Sequence, residues 1–140
     1  WAMRESLDML FEEGLENVWR RHRVLADAVR AAVDAWHAPD GFSFNVANPQ
    51  ARSNSVTTIL TGEIDAVELR RIAESDAGVT LGVGLDQFAD CAIRIGHMGH
   101  LNPPMILGTL GTIEAALTKM GAPMGSSGVA AAAAVIGEAL

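Results

Sequence analysis

Ala92-Ile93-Arg94-Ile95-Gly96-His97-Met98-Gly99, followed closely by Asn102-Pro103-Pro104, reads as a strand that ends in glycines and gives way to a helix. Period-two alternation places Cys91, Ile93 and Ile95 on one face and Ala92 and Arg94 on the other, so the arginine points off the core. A guanidinium presents its donors in a planar fork that matches a carboxylate or phosphate through two bonds at once. A rigidly mounted arginine therefore suits recognition of a small acid. A solvated arginine on an exposed sheet face satisfies the same pattern, and the alternation alone leaves both readings open. Gly96 and Gly99 beside it permit close backbone approach or positive φ, which favours a site.

The segments on either side predict a mixed architecture. Leu7, Phe11, Leu15, Val18, Trp19, Leu25, Val29, Val33 and Trp36 recur at helical spacing, and Gly14 divides them into two helical pieces that meet near the glycine. Arg20, Arg21, Arg23 and Arg30 fill the gaps; the first three read as a solvated face, with Glu12, Glu13 and Glu16 near enough for ion pairs three or four residues apart. Pro39-Asp40-Gly41 and Asn48-Pro49-Gln50 are turns. Phe42 to Val46 and the β-branched run Ser55 to Leu60 are strands. Asp65 caps a helix that runs to about Glu74, with Glu68 spaced to reach back to the cap amide. Gly78 closes the connection, and Val79 to Val83 and Ala92 to Ile95 are further extended segments. Asn102 caps a helix that begins at Pro103 and Pro104, continues to about Met120 and stops at Gly121-Ala122-Pro123. Gly125-Ser126-Ser127-Gly128 reads as a flexible link, and Val129 to Leu140 as a last helix. This order predicts an α/β chain of the α+β kind, with a small, mostly antiparallel sheet and helices packed on one face.

The composition narrows the functional classes. A length of 140 residues with 49% hydrophobic and 19% charged suits one domain with a real core. The net charge of -7 repels nucleic acid and anionic membrane surfaces. Val129 to Ile136 is far short of a membrane span, and no charged leader precedes an apolar segment, so a cytoplasmic protein is expected. The chain opens at Trp1 already in helical pattern, as a segment of something longer would. A single cysteine, Cys91, excludes an internal disulfide and reads as a buried, inert thiol in an apolar strand.

Other constellations are weaker. Gly82-Val83-Gly84-Leu85-Asp86-Gln87 lacks the third glycine and the following helix of a dinucleotide loop, which leaves a turn that lets backbone approach a ligand or an ordinary strand-end turn. His97 and His100 are three apart with no third ligand nearby, so no metal is expected and a packing or supporting role is favoured. Asn54 and Ser55 start a strand, where a turn role outweighs ligand contact. No nucleophile stands beside a base, and the one lysine, Lys119, sits near a helix C-terminus, where a cation suits the helix dipole.

Ala92-Ile93-Arg94-Ile95-Gly96-His97-Met98-Gly99 is similar to the RIGHMG signature of class V aminotransferases, in their alanine:glyoxylate and serine:glyoxylate branch. Ser6 to His22 resembles the helix that joins the two domains in that branch, Leu81 to Leu85 the segment before the signature, and Leu107 to Gly111 the helix after it. The resemblance covers nearly the whole chain. It implies the C-terminal small domain of a fold type I enzyme, spanning residues 1–140, with 1–36 as a domain-joining helical region and 125–140 as a tail helix. It implies pyridoxal 5'-phosphate held by a large domain outside this chain, a homodimer, and transfer of an amino group from serine, alanine or aspartate to glyoxylate. By position Arg94 would grip the α-carboxylate of donor and acceptor alike. The Schiff-base lysine would lie in the large domain, so the resemblance assigns this chain no catalytic and no cofactor-binding residue, and the chain alone would not turn over. Pyridoxamine:pyruvate relatives carry a second arginine where Leu85 stands, which argues against that activity. Another class V activity, such as transamination of an aminophosphonate, and an inactive small-domain binding module are the alternatives.

Overall fold

Gly14, at φ 84° and ψ 132°, takes a left-handed backbone that suits glycine and splits the amphipathic N-terminal region into two helices. The computed structural model, which describes residues 1–139, places α1 at Ala2–Glu13 and α2 at Leu15–Trp36. They fare differently. α1 buries no side chain, whereas α2 drives Leu25, Val29, Ala32, Val33 and Trp36 into the core. The Trp36 ring meets Phe42 edge-on at 5.7 Å, a geometry aromatic quadrupoles favour.

The sheet comprises β1 (Ser43–Phe44), β2 (Val56–Leu60), β3 (Gly82–Val83) and β4 (Ala92–Gly96), in the order β1-β2-β4-β3 with every pair antiparallel. Register puts Ile59 opposite Ile93 and Thr57 opposite Ile95 on the core face; Thr58 faces Arg94 on the other. The alternation thus holds for Arg94, which is half-buried between buried Ile93 and Ile95. Ala92 keeps the face of Arg94, opposite Leu60, but this end of the strand is buried on that face too, with Arg70 donating to the Ala92 carbonyl at 3.0 Å. Cys91 is exposed rather than buried, because pairing ends at Leu60 and Ala92 and leaves it in a turn outside the ladder. β3 is shorter than its apolar run suggests. The Val79 amide turns back to the Ala73 carbonyl at 2.8 Å, so it does not extend the ladder.

Between β2 and β3, α3 (Ala66–Arg71) continues into a π-helical turn at Ile72–Asp76. The Asp65 carboxylate caps α3 by accepting from the Val67 and Glu68 amides. Glu68 does not complete the capping box; its carboxylate takes both branches of the Arg71 fork at 2.7 and 2.8 Å instead. α4 (Pro103–Met120) starts at Asn102, whose side chain accepts from the Met105 amide, and ends at Gly121 in the left-handed conformation.

α5 (Gly128–Ala139) packs along α2. The last residue of the predicted tail helix, Leu140, lies outside the described residues. The link before α5 is clamped, not flexible. Gly125 and Ser126 donate their amides to the Trp36 and Ala35 carbonyls, and a Cβ on Gly125 would stand 2.6 Å from both the Ala35 and His37 oxygens. Gly128 lets α5 start against the Trp36 ring, 2.6 Å from where its Cβ would be. Glu114 of α4 locks the junction: its carboxylate accepts from Trp36 Nε1 (3.0 Å), the Val129 amide (3.0 Å) and Ser127 Oγ (3.2 Å). Among the described residues no helix is long and apolar enough to cross a membrane.

Burial pushes the Glu114 carboxyl upward, but the donors from Trp36, Val129, Ser127 and Gly128 outweigh it and hold the group below its ordinary 4.5. As pH falls, the unfolded chain takes the proton first, so this stabilisation is present above the ordinary carboxylate range and is lost as pH drops through the lowered value. Glu114→Ala is expected to cost about 2 kcal/mol at neutral pH. In denaturant titrations its deficit relative to the parent should shrink below about pH 4.

Candidate functional site

Arg94 sits in the middle of β4, opposite Thr58 on one side and Gly82 on the other. A Cβ on Gly82 would lie 3.0 Å from both the Cβ and the carbonyl oxygen of Arg94, so the glycine makes room for the arginine beside β3. From there Arg94 Nε donates to the Val83 carbonyl at 2.7 Å. That is the one protein acceptor its guanidinium takes, and no carboxylate pairs with it, among the described residues. One edge of the group is therefore anchored while both terminal nitrogens stay available.

The arginine borders a cleft of about 520 Å³. Its walls are Ser55 and Val56 at the start of β2, Thr80 to Gly82 leading into β3, Gly96 and Met98 after the arginine, and Met105, Ile106 and Thr109 on the first turns of α4, with Leu101 between. The lining is mainly apolar with a single cation, an arrangement suited to a small organic acid.

The glycine-rich loop after β4 is held by side chains from elsewhere. His97 is fully buried; a carbonyl can only accept, so Nδ1 carries the proton and donates to Asn54 O at 2.9 Å, and the Thr57 hydroxyl donates to Nε2 at 2.9 Å. Burial pushes its pKa below 6.5, which keeps the ring neutral. It packs, as its spacing suggested. The Gly99 amide, at φ 82°, donates to His22 Nε2, and Arg21 Nη1 donates to the carbonyls of Gly99 and Leu101, both at 2.8 Å. Arg21 also grips Glu13 through two bonds of 2.7 and 2.6 Å, a pairing that lowers the Glu13 pKa and raises that of Arg21. Arg30 binds the Ser53 carbonyl, Asn54 Oδ1 and Asp27.

These contacts correct the reading of Arg21 as part of a solvated face with Arg20 and Arg23. Arg20 and Arg23 are exposed, but Arg21 and Arg30 staple α2 to the two loops that flank Arg94. Spacing missed them because Arg21 is eight residues from Glu13, across the break at Gly14, and its other partners are backbone carbonyls. Asn54 and Ser55 serve through their carbonyls, which accept from the His97 ring and the His97 amide. His100 is exposed, and no three His, Cys, Asp or Glu side chains converge among the described residues. Gly84 explains the Gly82 to Gln87 run: a Cβ there would stand 1.9 Å from the Phe88 carbonyl, so the segment folds over its own backbone. Lys119 ends α4 in an ion pair with Asp76. About ten residues of helix, roughly 15 Å, separate it from the cleft at Thr109.

No protein-family model matches the chain. It is 41% identical over 140 residues to a serine–glyoxylate aminotransferase of Methylorubrum extorquens, covering 99% of this chain and 34% of the relative. An L-aspartate–glyoxylate aminotransferase of Paracoccus denitrificans is 39% identical over 133 residues, 94% of this chain and 33% of that one. In fold, the chain matches the pyridoxamine–pyruvate aminotransferase of Mesorhizobium loti with a TM-score of 0.85 and 32% identity, covering 96% of this chain and 34% of the other. The chain spans about a third of the length of the curated relatives it matches.

Two substitutions near the arginine should separate required glycines from incidental ones. Gly84→Ala drives a methyl group into backbone and is expected to cost about 3 kcal/mol or more, whereas Gly96→Ala, with nothing within 4 Å, should change stability by less than about 0.5 kcal/mol in chemical denaturation. A separate test concerns His97. Its folded pKa lies below the unfolded value, so acidification protonates the unfolded chain first and stability should fall as pH drops past 6.5. Denaturation of His97→Gln across this range should show a shallower slope.

Proposed function

We propose, from the chain's homology to class V aminotransferases and its place in their serine–glyoxylate branch, that it is the carboxylate-binding small domain of a transaminase acting on glyoxylate. Residues 1–140 form that C-terminal domain, with 1–36 joining it to a large cofactor domain and 125–140 as its tail. The donor is serine or alanine, with aspartate as a further candidate, and the full-length enzyme works as a cytoplasmic homodimer. The observation that carries this reading is Arg94: a guanidinium fixed through Nε to Val83 O, its two terminal nitrogens free beside a cleft.

Transamination alternates an amino acid and a 2-oxo acid in one site, and the α-carboxylate is the handle both share. A fork that holds this group through two parallel bonds fixes the acid's plane and leaves the α-carbon in one place for either substrate. Met98, Met105 and Ile106 offer apolar walls against which a small side chain can rest. Pyridoxal phosphate, when bound, supplies the electron sink that makes the α-proton labile. The residues of this chain do not fit that cofactor's covalent anchorage. Lys119 is the single lysine, and it is held by Asp76 at the far end of α4. The anchorage therefore falls to the large domain, and no catalytic step is assigned to this chain beyond holding the substrate.

In the full-length protein, Arg94→Met should lower kcat/KM for glyoxylate and for the amino donor together. The loss of a charge-assisted pair to a desolvated carboxylate corresponds to about 2 to 5 kcal/mol. The absorbance of the bound cofactor should be unchanged. Steady-state kinetics with both substrates varied are the test, and unaltered constants for both would remove Arg94 from the role.

A further inference from the structure

The Arg21 fork joins three parts of the chain, α1, α2 and the loop after β4. Its Nε and Nη2 hold the carboxylate of Glu13, the last residue of α1, while Nη1 serves the Gly99 and Leu101 carbonyls of the loop that follows β4. The side chain is only 22% exposed and that of Glu13 32%, so the pair is partly shielded from water and from salt. We propose that Arg21 is a positioning residue for the carboxylate cleft, transmitting the placement of α1 to the loop that walls it. The inference rests on the assignment of Arg94 as the carboxylate ligand.

Two features give this linkage its direction. α1 buries none of its residues, and Met3, Leu7 and Phe11 stand exposed on it at four-residue spacing, so its placement depends on its junction with α2 and on whatever protein covers that stripe. The glycine at the junction has no side chain to lock the angle, and the Glu13–Arg21 bridge spans it. On the other side, Leu101 belongs to two surfaces at once: it lines the cleft beside Arg94 and also the neighbouring hollow formed with Glu13 and Arg21. Met98, one residue before Gly99, lines the Arg94 cleft as well. A shift of α1 that draws on Glu13 thus pulls, through one rigid planar group, on the backbone that shapes the substrate wall. Lysine offers no such fork and cannot serve a carboxylate edge and two carbonyls together.

The test uses the full-length protein with Arg21→Met, Glu13→Gln, Arg94→Met and the Arg21/Arg94 double replacement. Arg21→Met is expected to raise KM for glyoxylate and for the donor in parallel by about tenfold, less than the roughly hundredfold that a full ångström of misplacement can cost. kcat should change far less, and amide exchange at residues 98–102 should quicken while β2 and β4 stay protected. Glu13→Gln, which leaves the loop bonds in place, should shift both constants the same way by a smaller factor and serves if Arg21→Met does not fold. In the Arg94→Met background the Arg21 replacement should add nothing, because its effect runs through the missing ligand; a merely stabilising residue would act additively. If Arg94→Met raises both constants and neither Arg21→Met nor Glu13→Gln does, the positioning role is overturned while the carboxylate assignment stands. If Arg94→Met itself is without effect, both fall.

Discussion

The backbone after β4 leaves the ladder at Gly96 and reaches its next helix at Pro103, and the polar groups between must find partners without regular structure. Side chains supply them. His97 ties the strand end to Asn54 and Thr57, His22 takes the Gly99 amide, Arg21 takes the Gly99 and Leu101 carbonyls, and Asn102 caps α4. Four of these partners lie far away in sequence: Arg21 and His22 on α2, Thr57 on β2, and Asn54 just before it. The loop is consequently a product of the assembled core, and the cleft it borders forms only when α2 is docked.

The same logic fixes the arginine. A solvated arginine and a ligand-binding one look alike in a strand pattern, and what separates them is how many rotamers the surroundings leave open. Gly82 removes the one side chain that would crowd Arg94 from β3, and the Val83 carbonyl takes its Nε. The rotamer entropy of a long side chain, of order 2 kcal/mol, is thereby largely lost during folding rather than on binding. The anchored nitrogen does not compete with a ligand, because a carboxylate taken end-on needs only the two terminal nitrogens.

α2 is the structural centre of the chain because it serves two unlike functions on two faces. Its apolar stripe packs against α5 and the sheet, with Trp36 closing the far end through the Glu114 carboxylate. Its polar side reaches both loops beside Arg94, through Arg21 and Arg30. α1, by contrast, takes no part in the core and keeps an apolar stripe exposed. The chain is thus well packed where it shapes the cleft and unpartnered where the proposed large domain would meet it.

Much of this was legible in the sequence, for a definable reason: helix breaks, caps and strand alternation depend on residues a few positions apart. The split at Gly14, the Asn102 cap before two prolines, the stop at Gly121 and the outward face of Arg94 all belong to this class, and the signature around Arg94 carries the resemblance to the aminotransferases that the chain matches. Other features needed the folded chain. Glu68 chose Arg71 over the cap amide, Cys91 fell outside the ladder, and the glycines at 125 and 128 proved to be points of close contact rather than slack. Arg21, the partner of a carboxylate eight residues away and of carbonyls some eighty residues on, follows no local spacing rule. The sequence by itself determined where the elements begin and end and which residue types they carry, because those choices are local. Only the tertiary structure decided which arginines are tied to distant loops and which keep their terminal nitrogens open, because that depends on which distant backbone groups are left needing a donor.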